Sequence, residues 1–68
     1  MACAEVVKKI RSTLYLERSE FAALLGISPQ AIWQYETGLR RPRLKTIKLL
    51  LVQAKNAKIK VSIEDFLE

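Results

Sequence analysis

The sequence predicts an all-α fold, a compact arrangement of four to five helices in one domain that spans residues 1–68. Apolar residues recur at the spacing of helical faces along most of the chain. Only two Gly and two Pro interrupt these patterns. The chain has 68 residues, of which 50% are hydrophobic and 28% are charged, and this composition is typical of one small globular domain.

The first two helices are predicted over about residues 3–15 and 18–25. In the first, a basic face lies opposite an apolar face of Val6, Val7, Ile10 and Leu14. In the second, the predicted buried side consists of Phe21, Ala22, Leu24 and Leu25. Gly26 ends the second helix, because glycine readily adopts the left-handed backbone conformation that commonly follows a helix.

The third helix has the clearest start. Ser28 is suited to cap the free N–H groups of its first turn, and Pro29 fits the first helical position, where no hydrogen bond is lost. The helix stops near Gly38, a second signal for a helix end. Residues 39–43 are predicted to form a loop, since Pro42 disfavours helix at the residue before it.

The last third of the chain is predicted to contain one long helix and a short segment of ambiguous structure. The long helix covers about residues 44–54, with an inner face of Leu44, Ile47, Leu50, Leu51 and Ala54. Beyond it, Ser62 followed by Asp65 resembles a capping box, which favours a brief helix over residues 63–67. Ile59, Val61 and Ile63 nevertheless alternate with polar residues at the period of a strand. We favour the helix.

The net charge is +5 and is unevenly distributed. Between Glu36 and Glu64 the chain has no acidic residue, whereas basic residues recur there: Arg40, Arg41, Arg43, Lys45, Lys48, Lys55, Lys58 and Lys60. Such asymmetry suggests a polyanionic partner, either nucleic acid or an anionic membrane surface. A basic face that is merely solvated is the alternative.

Several classes of function are disfavoured by what the sequence lacks. It contains no His, no paired carboxylates in an apolar setting, no ligand cluster with metal-binding spacing and no glycine-rich phosphate loop. We therefore expect no enzymatic activity, no metal and no cofactor. No apolar run is long enough to cross a bilayer, and no signal peptide is visible. With a single Cys, Cys3, the chain forms no internal disulfide, and a cytoplasmic location is expected.

Residues 18–37 have the chemistry that a helix-turn-helix requires. Ala22 supplies the small side chain needed where the two helices cross, and Gly26 supplies the positive φ needed in the turn. Apolar residues stand at the required offsets from these two: Phe21, Leu25, Ile27, Ile32 and Tyr35.

An ordinary helical hairpin is the alternative to this interpretation. It does not explain the outer face of the third helix, which has Gln30 and Gln34 with Trp33 beside them. A solvated helix in a protein of this charge usually presents Lys and Glu there. The uncharged polar face therefore favours a recognition helix.

The stretch from Leu16 to Leu44, LERSEFAALLGISPQAIWQYETGLRRPRL, resembles the Cro/phage-repressor (XRE-type) family of helix-turn-helix domains. The resemblance implies a lambda-repressor-like fold of five helices. It also implies a transcriptional regulator, expected to be a repressor, that binds a palindromic operator in double-stranded DNA. The helix over residues 29–36 would lie in the major groove.

The same resemblance assigns roles to individual residues. Those facing the base edges would be Pro29, Gln30, Trp33 and Gln34. Glutamine suits this role, because its amide can both give and accept a hydrogen bond with adenine. Trp33 departs from the family pattern, which usually has a small polar residue there. Helical periodicity places it beside the buried face, so we expect an exposed indole.

Contacts with the DNA backbone are implied for Arg18, Ser28, Thr37, Arg40, Arg41 and Arg43. Glu17 stands where the family usually has a Ser that caps the second helix, so a weaker cap is expected. Arg11 and Glu36 match a pair of residues that often form an ion pair in the family, and we assign both a structural role.

A homodimer is expected, because one recognition helix covers too few bases for useful specificity. The predicted dimer surface is the C-terminal segment with Ile59, Val61, Ile63, Phe66 and Leu67, although some of these must cover the core instead. The alternative function is an antitoxin or another protein-interaction module of the same fold, whose main partner is a toxin or another protein.

Overall fold

The computed structural model describes residues 2–67 and contains five α-helices in this part of the chain. They are α1 (Cys3–Thr13), α2 (Arg18–Leu25), α3 (Pro29–Glu36), α4 (Leu44–Asn56) and α5 (Ile63–Leu67). The prediction of an all-α fold is therefore confirmed, and residues 63–67 form a helix rather than a strand. The ends of α1 and α4 differ by about one half-turn from the predicted bounds.

All five helices contribute to one hydrophobic core. Its largest fully buried side chains are Val6, Val7, Ile10, Phe21, Ile32, Leu50 and Phe66. Around them pack half-buried apolar residues from the connections, among them Leu16 and Ile27. The core fixes how α2 and α3 sit against α1, and so it determines which face of α3 is left exposed.

Two leucines predicted to be buried are exposed, so that part of the prediction is wrong. Leu24 of α2 and Leu44 of α4 each expose more than half of their surface. At about 100° per residue, side chains three positions apart point about 60° away from each other around the helix axis. Each of these leucines is three positions from a residue at the edge of the buried face, so it points outside that face. For Leu24 the buried neighbour is Phe21, and for Leu44 it is Ile47.

The turn between α2 and α3 has the predicted local structure. Gly26 has φ of 68° in the left-handed region, and the N–H of Ile27 donates to the carbonyl of Ala22 at 3.0 Å. The Ser28 Oγ then accepts from the N–H of Ala31 at 3.1 Å and caps the start of α3. Together these bonds satisfy backbone groups at two helix ends that would otherwise lack partners.

Side-chain carboxylates support the starts of α2 and α5. Glu20 Oε1 accepts from the backbone N–H of Glu17 at 2.9 Å, which supports the chain where the family usually has a capping Ser. Asp65 Oδ2 accepts from the backbone N–H of Ser62 at 2.8 Å. The second bond is the capping-box contact that favoured helix for residues 63–67.

Candidate nucleic-acid interface

The outer face of α3 is an uncharged polar surface. At about 100° per residue, Pro29, Gln30, Trp33 and Gln34 fall within an arc of roughly 140°. Pro29 and Gln30 are exposed, Gln34 is half-buried, and Trp33 exposes 42% of its surface. The opposite face of α3 is buried in the core. The four residues predicted to face base edges therefore share one side of the helix, and the indole is exposed as expected.

The two hydroxyl residues that flank α3 are engaged by its backbone. Ser28 Oγ accepts from the N–H of Ala31 at the start of the helix. Thr37 Oγ1 donates to the carbonyl of Trp33 at 2.8 Å, at the other end of the helix. Both side chains remain exposed, so each keeps hydrogen-bonding capacity beyond its bond to the backbone.

Three charged side chains form a cluster at the C-terminal end of α3. The Glu36 side chain, which is only 2% exposed, accepts from Arg11 Nε at 2.6 Å and from Arg11 Nη2 at 3.1 Å. Arg18 Nε donates to the same carboxylate at 3.2 Å. Arg11 Nη1 also donates to the carbonyl of Leu16 at 3.1 Å. The cluster therefore joins the end of α1, the start of α2 and the end of α3.

The hydrogen bonds to Glu36 raise the pKa of the Arg11 guanidinium above its ordinary value, and burial acts in the opposite direction. The contact between Arg18 and Glu36 was missed by sequence reasoning, which assigned Arg18 only to the DNA backbone. No local sequence pattern indicates this contact, because it joins residues from two helices and depends on how those helices pack.

The loop after α3 presents a group of basic side chains. Arg40 and Arg43 are exposed. Arg41 is exposed as well, but its Nη1 donates to the backbone carbonyl of Leu67 at 3.0 Å, so it also holds the end of α5. These arginines follow the C-terminal end of α3, and Arg18, which is bonded to Glu36, lies at the same end of the helix.

The C-terminal segment divides between the core and the surface. Phe66 is 1% exposed and lies in the core, so its assignment to a dimer surface is wrong. Phe66 is the buried residue of α5, a helix that packs against both α1 and α4, and the sequence pattern alone could not reveal this packing. Ile59, Val61 and Ile63 are half-buried against the core, and Leu67 is exposed. A shallow groove remains between α4 and α5, lined by Leu51, Ile59 and Val61 and flanked by lysines.

Two further kinds of site are not found in residues 2–67. No group of three or more His, Cys, Asp or Glu side chains there is placed to hold a metal ion. None of the helices in this range has the length and apolar character needed to span a membrane.

These features define a class of protein. A capped helix of eight residues that exposes glutamines, joined through a glycine turn to a second short helix and flanked by arginines, is a DNA-binding helix-turn-helix. A helix-turn-helix family model matches residues 7–52, and the chain belongs to the Cro/phage-repressor (XRE-type) family. The protein is accordingly a DNA-binding transcriptional regulator of this type.

The family match covers most of α1, all of α2 and α3, and the first part of α4, but not α5. No curated protein and no solved structure matches the chain. The family therefore defines the class of partner, and the particular DNA site has to be argued from the residues themselves.

Proposed function

We propose that the protein is a repressor that binds a palindromic operator in double-stranded DNA as a homodimer. The observation that carries this proposal is the outer face of α3, where Gln30 and Gln34 lie next to each other with Trp33 beside them and no charged residue among them. A helix of this width fits the major groove, where each base pair presents a distinct pattern of donors and acceptors. α3 is the element that reads the sequence.

Gln30 and Gln34 are the residues that we propose contact bases directly. They lie one turn apart on α3, so their side chains reach neighbouring base pairs in the groove. A glutamine amide matches the N6 and N7 positions of adenine with one donated and one accepted hydrogen bond. Trp33 lies beside them on the same face and would offer its indole to a thymine methyl or to the sugar-phosphate backbone.

Arg18, Arg40 and Arg43 would hold the DNA backbone and fix the register of α3. The positive end of the α3 dipole and the Ser28 hydroxyl favour a phosphate at the start of the helix. Arg41 would contribute charge from its unpaired guanidinium nitrogens. Such contacts position the domain without reading sequence, and they make binding weaken steeply with salt.

A homodimer gives this small DNA-binding domain enough sequence specificity. Two copies of α3 about 34 Å apart would contact two half-sites on one face of the duplex. Leu67 and the half-buried Ile59, Val61 and Ile63 supply apolar surface for such a contact in the C-terminal segment. Phe66 belongs to the core and takes no part in it.

Replacing Gln30 by Ala is expected to weaken binding to the operator by about 1–3 kcal/mol, with the loss confined to one base pair of each half-site. The operator is first selected from random duplex DNA, and binding is then measured on single-base variants at two salt concentrations. Gln53→Ala removes the same side chain from α4 and should leave the affinity unchanged. A uniform loss across all duplexes would show that Gln30 does not read a base.

Binding of the selected operator is expected to change the fluorescence of Trp33, because its exposed indole would become enclosed by DNA. The chain has one Trp, so the emission reports this position alone. A fluorescence titration with the operator measures the change, and an unselected duplex at high salt serves as the control. An emission maximum that is already blue-shifted and does not respond to the operator would contradict the assignment.

The exposed face of α4 favours a second candidate function, that of an antitoxin or another protein-interaction module. Leu44, Leu49 and Val52 are all exposed there, among lysines. Exposed apolar residues grouped on one helix are typical of protein interfaces. Selection from random DNA separates the two candidates, since a module whose main partner is a protein would enrich no common sequence.

A further inference from the structure

Tyr15 follows the end of α1 in a conformation that suits glycine better than tyrosine. Its φ is 57°, in the left-handed region. The N–H of Tyr15 donates to the carbonyl of Ser12 at 3.1 Å, and the N–H of Leu16 donates to that of Arg11 at 3.2 Å. These two bonds form a Schellman motif, in which the position held by Tyr15 is most often glycine.

The same motif ends α2, and there the corresponding position is Gly26. α4 ends in the same motif, and there Lys58 takes the left-handed position with φ of 58°. Of these three helix ends, one has glycine at the left-handed position and two have a residue with a Cβ. A side chain with a Cβ is strained in this conformation, and for an aromatic residue it is rare. Tyr15 differs from Lys58 in that its side chain is a large aromatic ring, and the position of that ring is what has to be explained.

Packing within the chain does not account for the tyrosine at position 15. Tyr15 is 94% exposed, the highest value among the large apolar side chains of residues 2–67. Within the same range its hydroxyl takes part in no hydrogen bond. A strained residue whose ring contacts almost nothing in its own domain indicates a contact outside the domain.

The surroundings of Tyr15 identify that contact. The ring borders a shallow depression that it shares with Arg11, Leu16, Glu17, Arg18 and Ser19. Arg18 is bonded to Glu36, so the depression lies beside the C-terminal end of α3. This is one margin of the surface that reads DNA in the proposed function.

The charges at this margin favour a neutral donor. Arg11 and Arg18 are balanced by Glu36 and Glu17, so the formal charges of the four residues sum to zero. A phosphate here gains little from net charge and is held by hydrogen bonds. The tyrosine hydroxyl is a side-chain donor of the kind that contacts phosphates in protein–DNA complexes.

We propose that Tyr15 is a contact with the DNA backbone, with its ring along the sugar-phosphate chain and its hydroxyl donating to a phosphate oxygen beside Arg18. The proposal rests on the proposed DNA-binding function. It adds a contact between Tyr15 and the DNA backbone, for which the strained conformation of Tyr15 is tolerated.

Two variants and two duplexes test the proposal. Tyr15→Phe removes only the hydroxyl and is expected to lower the affinity by about five- to tenfold. Tyr15→Gly removes the ring as well, and it should lower the affinity at least as much while raising the melting temperature by about 4 °C, because it relieves the left-handed strain. Both losses should be equal for the selected operator and for an unselected duplex of the same length.

The salt dependence distinguishes Tyr15 from a charged contact. Because tyrosine is neutral, both variants should keep the wild-type slope of log affinity against log salt. Arg40→Ala is the matched control, and it should reduce that slope by about one. Unchanged affinity of both Tyr15 variants would overturn the proposal, as would a loss limited to the operator. If the wild-type protein bound neither duplex, the proposed function itself would fail, which is a distinguishable result.

Discussion

Replacing Glu36 by Gln is expected to destabilise the domain by about 3–5 kcal/mol. The carboxylate is almost completely buried and is the common acceptor for two guanidinium groups. Without its charge, Arg11 loses in a partly buried position the carboxylate to which it donates, and Glu17 is the nearby opposite charge that remains. A buried ion pair contributes little relative to an apolar pair, but the loss of one partner leaves the other uncompensated.

The free energy of unfolding, measured by urea denaturation and far-UV circular dichroism, checks this expectation. Glu5→Gln is the matched control, because Glu5 is an exposed carboxylate on α1 that forms no ion pair in the described part of the chain. We expect a change of about 0.5 kcal/mol or less for the control. Equal stability of the two variants would show that the cluster contributes nothing to folding.

The expected effect is large relative to the whole stability of the protein. A domain of 68 residues has a free energy of unfolding of roughly 3–10 kcal/mol. The Glu36 variant is therefore expected to lose about a third or more of its free energy of unfolding. Since Glu36 connects the end of α3 to both α1 and α2, its loss also releases the recognition helix from its fixed orientation.

Elements with strong local signals could be predicted from the sequence. Ser28 and Pro29 determine the start of α3, and Gly26 determines the end of α2. In both cases the signal lies within a few residues of the helix end that it determines. These signals depend on the hydrogen bonds of single backbone groups, so tertiary structure changes them little. The outer face of α3 then follows from helical periodicity alone.

Features determined by distant contacts could not be predicted. The end of α1 carries no glycine, so the left-handed position at Tyr15 had no local signal. The bond between Arg18 and Glu36 joins residues from two helices and depends on their packing. Leu24 and Leu44 lie at the margins of apolar faces, where a rotation of about 60° decides between core and solvent.

The sequence also could not divide the apolar residues of the C-terminal segment between the core and a dimer surface. Both environments favour the same residue types, and α5 is too short for periodicity to separate its two sides. The structure assigns Phe66 to the core and leaves Leu67 at the surface. Phe66 is therefore expected to contribute strongly to the free energy of unfolding.

Replacing Phe66 by Ala is expected to destabilise the monomer by about 3–5 kcal/mol, because it removes a fully buried aromatic ring and leaves a cavity. Leu67→Ala is the matched control on the adjacent residue, whose side chain is 62% exposed, and its unfolding free energy should change by about 0.5 kcal/mol or less. Urea denaturation at several protein concentrations measures both variants.

Protein concentration separates the two roles that an apolar residue can have in this segment. A core residue lowers stability by the same amount at every concentration, whereas an interface residue lowers it most where the dimer is populated. For Phe66→Ala we expect a constant loss. A loss of stability that disappeared on dilution would show that Phe66 belongs to the dimer surface instead. A constant loss would also show that the domain depends on α5, which lies beyond the residues matched by the family, because Phe66 is the fully buried side chain that α5 contributes to the core.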